Sequence, residues 1–139
     1  MTGKEFAAQM MDECGYQLKA CLVGISDENF VATPLAGMMS IRDSLEHCAE
    51  AYVAVQKGIA GEKHSWGTYK FPAGSVNELV DIFDTERAKA VELSLEKFDD
   101  DSHFVKDYIV AHEFYHVGQM VSVRLALGDG FEPYSIYRF

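Results

Sequence analysis

Wound at about 100° per residue, the stretch from Phe104 to Leu127 leaves hardly any polar arc. One face carries Val105, Ile109, His112, His116, Gln119, Val123 and Leu127, and the opposite face carries Val110, Phe114, Val117, Val121 and Leu125. Lys106, Glu113 and Arg124 mark a narrow wet edge between them. A helix apolar on both sides is buried on both sides. This one therefore needs neighbours around it: other helices, the aromatic tail that follows it, or a second subunit. The last case gives an expected homodimer with this helix near the interface.

Three further stretches repeat their apolar residues at helical spacing, and Pro34, Pro72 and Pro133 fall between or beyond the helical stretches. The first has Met11, Cys14, Leu18, Cys21, Leu22 and Ile25 on one face, with a capping box from Thr2 to Glu5. The second has Ile41, Leu45, Cys48, Tyr52 and Val55, starts at Ser40 and Asp43, and ends near Gly58 and Gly61. The third places Val76, Leu79, Val80, Phe83, Arg87, Ala90, Val91, Ser94 and Phe98 on a broad face after a Ser75–Glu78 box, and runs to the acidic cluster at 99–101. Gly128-Asp129-Gly130 stops the fourth helix. The aromatic tail from Phe131 to Phe139 then has enough apolar area to fold back. No strand-like alternation competes, so the predicted architecture is all-α, one four-helix bundle domain over 1–139. Its loops after the first two helices, about 26–39 and 61–74, are long for a bundle and are candidate site walls.

Composition narrows the partners. With 48% hydrophobic and 24% charged residues the chain is an ordinary globular one. A net charge of -10 repels phosphate backbones and anionic lipid, which speaks against nucleic acid and membrane surfaces. Charges at Lys4, Glu5, Asp12 and Glu13 interrupt any leader-like apolar run, and no stretch is long enough to span a bilayer, so a cytoplasmic protein is expected. Cys14, Cys21 and Cys48 lack C-x-x-C spacing and read as small buried hydrophobes.

The chemistry-bearing pattern is His112-Glu113-Phe114-Tyr115-His116-Val117-Gly118-Gln119. Residues four apart lie one turn above each other, so both imidazoles project from the same buried face, where each needs a hydrogen-bond partner or a metal. His47, in Ser-Ile-Arg-Asp-Ser-Leu-Glu-His, lies about 80° from the centre of the second helix's stripe and can turn inward. His47, His112 and His116 can together supply three nitrogens to a divalent cation and leave a position open, the pattern of a catalytic site. The same segment satisfies H-E-x-x-H, with Glu113 as the base of a metalloprotease; an all-helical chain has no strand-built cleft for a peptide. Tyr52, Tyr115 and Trp66 are either pocket walls or core. Cys48 points away from His47 and is not a ligand.

The helix-two histidine in S-I-R-D-S-L-E-H and the H-x-x-x-H-x-G-Q of helix four, in this order and spacing, resemble the DinB/YfiT-like family of metalloenzymes over essentially the whole chain. The resemblance implies a four-helix bundle, often a dimer, with His47, His112 and His116 as ligands to zinc or nickel. Gly118 and Gln119 match the end of the helix-four motif. It further implies a small-molecule substrate and a metal-dependent activity such as S-transfer from a low-molecular-weight thiol. The alternatives are a metal-dependent hydrolase and a metal-binding stress-response protein without turnover. Because the sequence runs only a short way past helix four, the activity of the mycothiol-dependent isomerase type, which carries an additional C-terminal domain, is not expected. His64 and His103 fall in or near loops and receive no role.

Overall fold

Start signals in the sequence fix where the long helices begin. In the computed structural model, which describes residues 1–139, helix α1 spans Gly3–Ala20 and opens with the reciprocal box, Glu5 N donating to Thr2 Oγ1 and Thr2 N to Glu5 Oε2. Helix α3 spans Ile41–Ile59 and is capped by Ser40, whose hydroxyl accepts from Asp43 N at 3.0 Å. Helix α4 spans Val76–Lys97 and is capped by Ser75. A short helix α2, Asp27–Phe30, sits within the first long connection; it was not anticipated. It buries Phe30, and Asp27 Oδ1 accepts from Val76 N, so this turn also holds the start of α4.

The last long helix changes character along its length. Phe104–Ala111 is π-helical, and His112–Leu127 is the α-helix α5, which ends at Gly128 with φ 64°. That angle is left-handed and favours glycine. There are no strands, and α1, α3, α4 and the π-helical segment with α5 pack around one core, α3 against α4 most extensively. The predicted stripe of α3 is fully buried at Ile41, Leu45, Cys48, Tyr52 and Val55. All three cysteines are free and buried. The tail returns as a 3-10 turn, Pro133–Ile136, that buries Ile136 beside α1, while Arg138 reaches Asp12 and Glu13 and Phe139 stays in solvent. No helix is long and apolar enough to cross a membrane.

The expected wet edge of the fourth helix is overturned in two of its three residues. Lys106 is exposed, but Glu113 is 0% and Arg124 is 3% exposed. The charges are inside because each has a partner there. Arg124 donates to the carbonyls of Cys21 and Val23, where α1 ends, and pairs with Asp129 at 3.1 Å. Glu113 accepts from Arg87 of α4 and from Tyr52 of α3. Arg87 also donates to Met11 O of α1, passing so close to Gly15 that a Cβ there would lie 2.5 Å from its guanidinium. One buried ion pair thus fastens all four long helices. The face holding Val110, Phe114 and Val121 is only partly covered, and Leu125 is half exposed.

Candidate metal centre

His112 is the first residue of α5, so the turn linking it to His116 is α-helical and brings the two rings together edge to face, with centroids 4.6 Å apart. His47 of α3 meets them from across the core, 4.9 Å from the ring of His112 and 5.2 Å from that of His116. One nitrogen of each of the three lies within 4.8 Å of the other two, so the structure brings together all three predicted residues. His116 is buried, and His47 and His112 are partly so.

Electrostatics keeps the α5 pair neutral. Burial, and then the neighbouring His47, lowers the pKa of His112 to about 4. Burial, and then His112 and His47, lowers that of His116 to about 3. Their Nε2 atoms face one another at 3.1 Å, and the Nδ1 atoms of both are buried without a protein partner. Two neutral imidazoles meeting nitrogen to nitrogen can share only one proton. A cation that takes both lone pairs removes that conflict, and 3.1 Å is close to the spacing of two nitrogens that each lie about 2.0–2.1 Å from one ion. Three imidazoles suit zinc, nickel, iron or copper. On donor type, on protonation and on the spacing of the α5 pair, the residues fit a divalent metal.

Glu113 does not belong to this centre. Its carboxylate lies in the core, held by Arg87 Nε at 2.7 Å, Arg87 Nη2 at 3.0 Å and Tyr52 Oη at 2.5 Å. A base committed to a guanidinium cannot take a proton from a metal-bound water, so the H-E-x-x-H match does not carry protease chemistry here. Burial alone would lower the Arg87 pKa, but its bonds to Glu113 raise it. Tyr52, weighed as a pocket wall, is core, its phenol pushed up by burial and by Glu113. Tyr115 is exposed and accepts a bond from Gln119, whose own Oε1 is buried and unpartnered.

Trp66 does line the site. Its ring lies 6.2 Å from His47 and forms a wall of two clefts. The larger, about 550 Å³, has His47, Asp43, Glu46 and Glu50 along α3 and Lys70 from the loop. The smaller, about 270 Å³, reaches His112. The loop is clipped to α3 by carboxylates: Glu50 Oε1 accepts from His64 Nε2 at 2.9 Å and from Gly67 N at 2.5 Å, and Glu46 Oε2 accepts from Phe71 N at 2.8 Å. The bonds of Glu50 to His64 and Gly67 hold its pKa down despite burial. Sequence reasoning left His64 without a role and passed over Glu50 and Tyr108. The available signal was an acid one turn beyond His47, followed by a loop holding both a histidine and the only tryptophan.

Comparison with protein-family models, curated proteins and solved structures gives no match.

Proposed function

We propose that the protein binds one divalent cation, zinc or nickel, through His47, His112 and His116, and that it is a metal-dependent enzyme acting on a small molecule. The observation that carries this is the meeting of three imidazoles from two helices beside two open clefts, with no fourth protein ligand. Three nitrogens and an open side are the pattern of a catalytic rather than a structural ion. When bound, the ion would supply Lewis acidity, stabilising a thiolate or lowering the pKa of a water.

The protein's own part is positional. α5 presents two neutral nitrogens, α3 presents the third, and Trp66 stands beside that third, its ring 6.2 Å from the His47 ring. Because Glu113 is unavailable as a base, transfer of a low-molecular-weight thiol fits the site better than hydrolysis. That activity is also what the resemblance to DinB/YfiT-like proteins suggests, as is a homodimer packed through the half-covered face of α5.

Elemental analysis of protein purified without a histidine tag tests the reading. One equivalent of metal is expected in the native chain and none in the His47→Ala/His112→Ala/His116→Ala variant; equal, sub-stoichiometric metal in both would overturn it. Metal-dependent consumption of a thiol with an electrophile, lost in folded His116→Ala, separates an enzyme from a binder without turnover.

A further inference from the structure

The 270 Å³ cleft has unusual walls. Trp66 and Tyr108 both line it, their rings only 21° from parallel and their centroids 6.3 Å apart. Ala51, one turn beyond His47 on α3, leaves the floor without a side chain beyond Cβ, and His112 closes the inner end. Each aromatic wall is held in place from behind. The residues at 64 and 67, flanking Trp66, are bonded to the same oxygen of Glu50, and the His64 ring meets the indole edge-on at 5.1 Å. Tyr108 lies in the π-helical segment, and His103 meets its ring edge-on at 5.1 Å. Trp66 nevertheless stays 52% exposed. A large aromatic fixed on both flanks and left open to solvent is prepared for a ligand rather than for the core.

From this geometry we infer that the cleft lined by Trp66 and Tyr108 is a binding subsite for a single planar aromatic ring, uncharged or cationic, of the substrate that reacts at the three histidines. The inference rests on the metal-centre reading and adds to it the class of substrate. A cavity of about 150 Å³ accepts benzene, so this cleft has volume for one substituted ring. The 6.3 Å between the two aromatic centroids is less than the roughly 7 Å that an inserted ring needs, so the ligand ring stacks on the exposed indole with Tyr108 beside it. The exposed indole of Trp66 favours a flat, polarisable group over a saturated one of equal size. Charge sets the remaining limit. Asp107 is the one charged residue lining this cleft, and Asp43, Glu46 and Glu50 line the neighbouring one against the single cation Lys70, so in the metal-free protein an anionic ring is disfavoured. A ring seated there has His112 at its inner end, which places its substituent beside the imidazoles.

The test uses two alcohols, which are weak metal ligands, and one carboxylate, which ligates zinc and is therefore compared on metal-stripped protein alone. Binding of 4-fluorobenzyl alcohol is followed by fluorine NMR, with cyclohexylmethanol as the saturated competitor and 4-fluorobenzoate as the anion. The alcohols are run on metal-stripped and on zinc-loaded protein. The aromatic alcohol is expected to bind about tenfold or more tightly than the saturated competitor, and more tightly than the benzoate. Trp66→Ala and Tyr108→Ala should each weaken it about tenfold, Trp66→Phe should retain most of the affinity, and Tyr134→Ala, at an exposed tyrosine elsewhere, should change nothing. Equal binding of the aromatic and saturated alcohols, or unchanged binding in both Trp66→Ala and Tyr108→Ala with native circular dichroism, would overturn the subsite. Ring binding in a protein that takes up no metal would leave the subsite standing and remove the metal reading. Metal uptake without ring binding would do the reverse.

Discussion

Glu113 follows His112 directly in sequence, yet its carboxylate turns away from the histidines and closes on the Arg87 guanidinium, 2.7 Å from Nε and 3.0 Å from Nη2. The two neighbours on α5 thus serve different tasks. His112 faces the clefts, while Glu113 ties α5 to α4, to Tyr52 of α3 and, through Arg87, to Met11 O of α1. The orientation of α5, and with it the aim of both its imidazoles, depends on that tie.

Removing one member of a buried pair leaves the other charge uncompensated, which costs about 3–5 kcal/mol. Arg87→Met keeps the aliphatic stem and strands Glu113, so urea denaturation is expected to show a loss in that range. Tyr52→Phe removes one hydrogen bond to the same carboxylate and is expected to cost about 1.5–3 kcal/mol. A loss below about 1 kcal/mol for Arg87→Met, the scale of an exposed pair, would mean that the pair does not hold the bundle.

Gly15 permits the Arg87 route, and its replacement has a sign that depends on Arg87. In an ordinary helix interior Gly→Ala stabilises by about 1 kcal/mol. Here the new Cβ would lie 2.5 Å from a guanidinium pinned by Glu113 and Met11 O, so overpacking outweighs that gain and Gly15→Ala should destabilise the native protein. In an Arg87→Met background the same substitution should stabilise it. The two unfolding midpoints, compared as a double-mutant cycle, check this, and a stabilising Gly15→Ala in the native background would refute it.

The triad and this tie were not equally legible in the sequence. His112 and His116 announce themselves because helical spacing alone puts them on one face, and His47 because the wheel leaves it able to turn inward. Caps at Thr2, Ser40 and Ser75 were legible because capping is a contact between residues three apart. The ion pair was not, because a wheel assigns every charge to water and the partner of Glu113 lies 26 residues away on another helix. The warning was Arg87 itself, a charge in the middle of the apolar face of α4. A basic residue there and an acidic one on a helix with no wet side are each costly alone, and together they satisfy one another. The loop clip was hidden for a related reason. No periodicity governs a connection such as 61–74, and the acceptor that orders it, Glu50, belongs to a different element.

Trp66 is the only tryptophan, so its emission reports on one place in the molecule. Its ring lies 6.2 Å from that of His47, close enough for a paramagnetic ion at the histidines to quench it. Titration of metal-free protein with nickel(II) or cobalt(II) is expected to quench the emission to a plateau at one equivalent. The His47→Ala/His112→Ala/His116→Ala variant should show no such saturating phase. A plateau of equal depth and stoichiometry in that variant would place the ion elsewhere.

The lowered pKa values of the α5 pair fix how the metal-free protein responds to acid. Unfolded, both rings titrate near pH 6.5; folded, His112 does so at about 4 and His116 at about 3, chiefly because burial disfavours the imidazolium. Above pH 6.5 these groups are neutral in both states and contribute no pH dependence. Between pH 6.5 and about 4 the unfolded chain binds protons that the folded one refuses, so stability falls as the pH falls, and the loss is complete once both folded rings protonate near pH 3. The melting temperature of metal-free protein should therefore decline across this window, and more shallowly in His116→Leu, where one of the two titrations is gone. Zinc should raise the melting temperature at neutral pH, because it binds the folded state, and the gain should vanish on acidification as protons compete for the same nitrogens. Parallel melting curves for the native and His116→Leu proteins from pH 7 to pH 4 would show that the buried pair does not govern acid sensitivity.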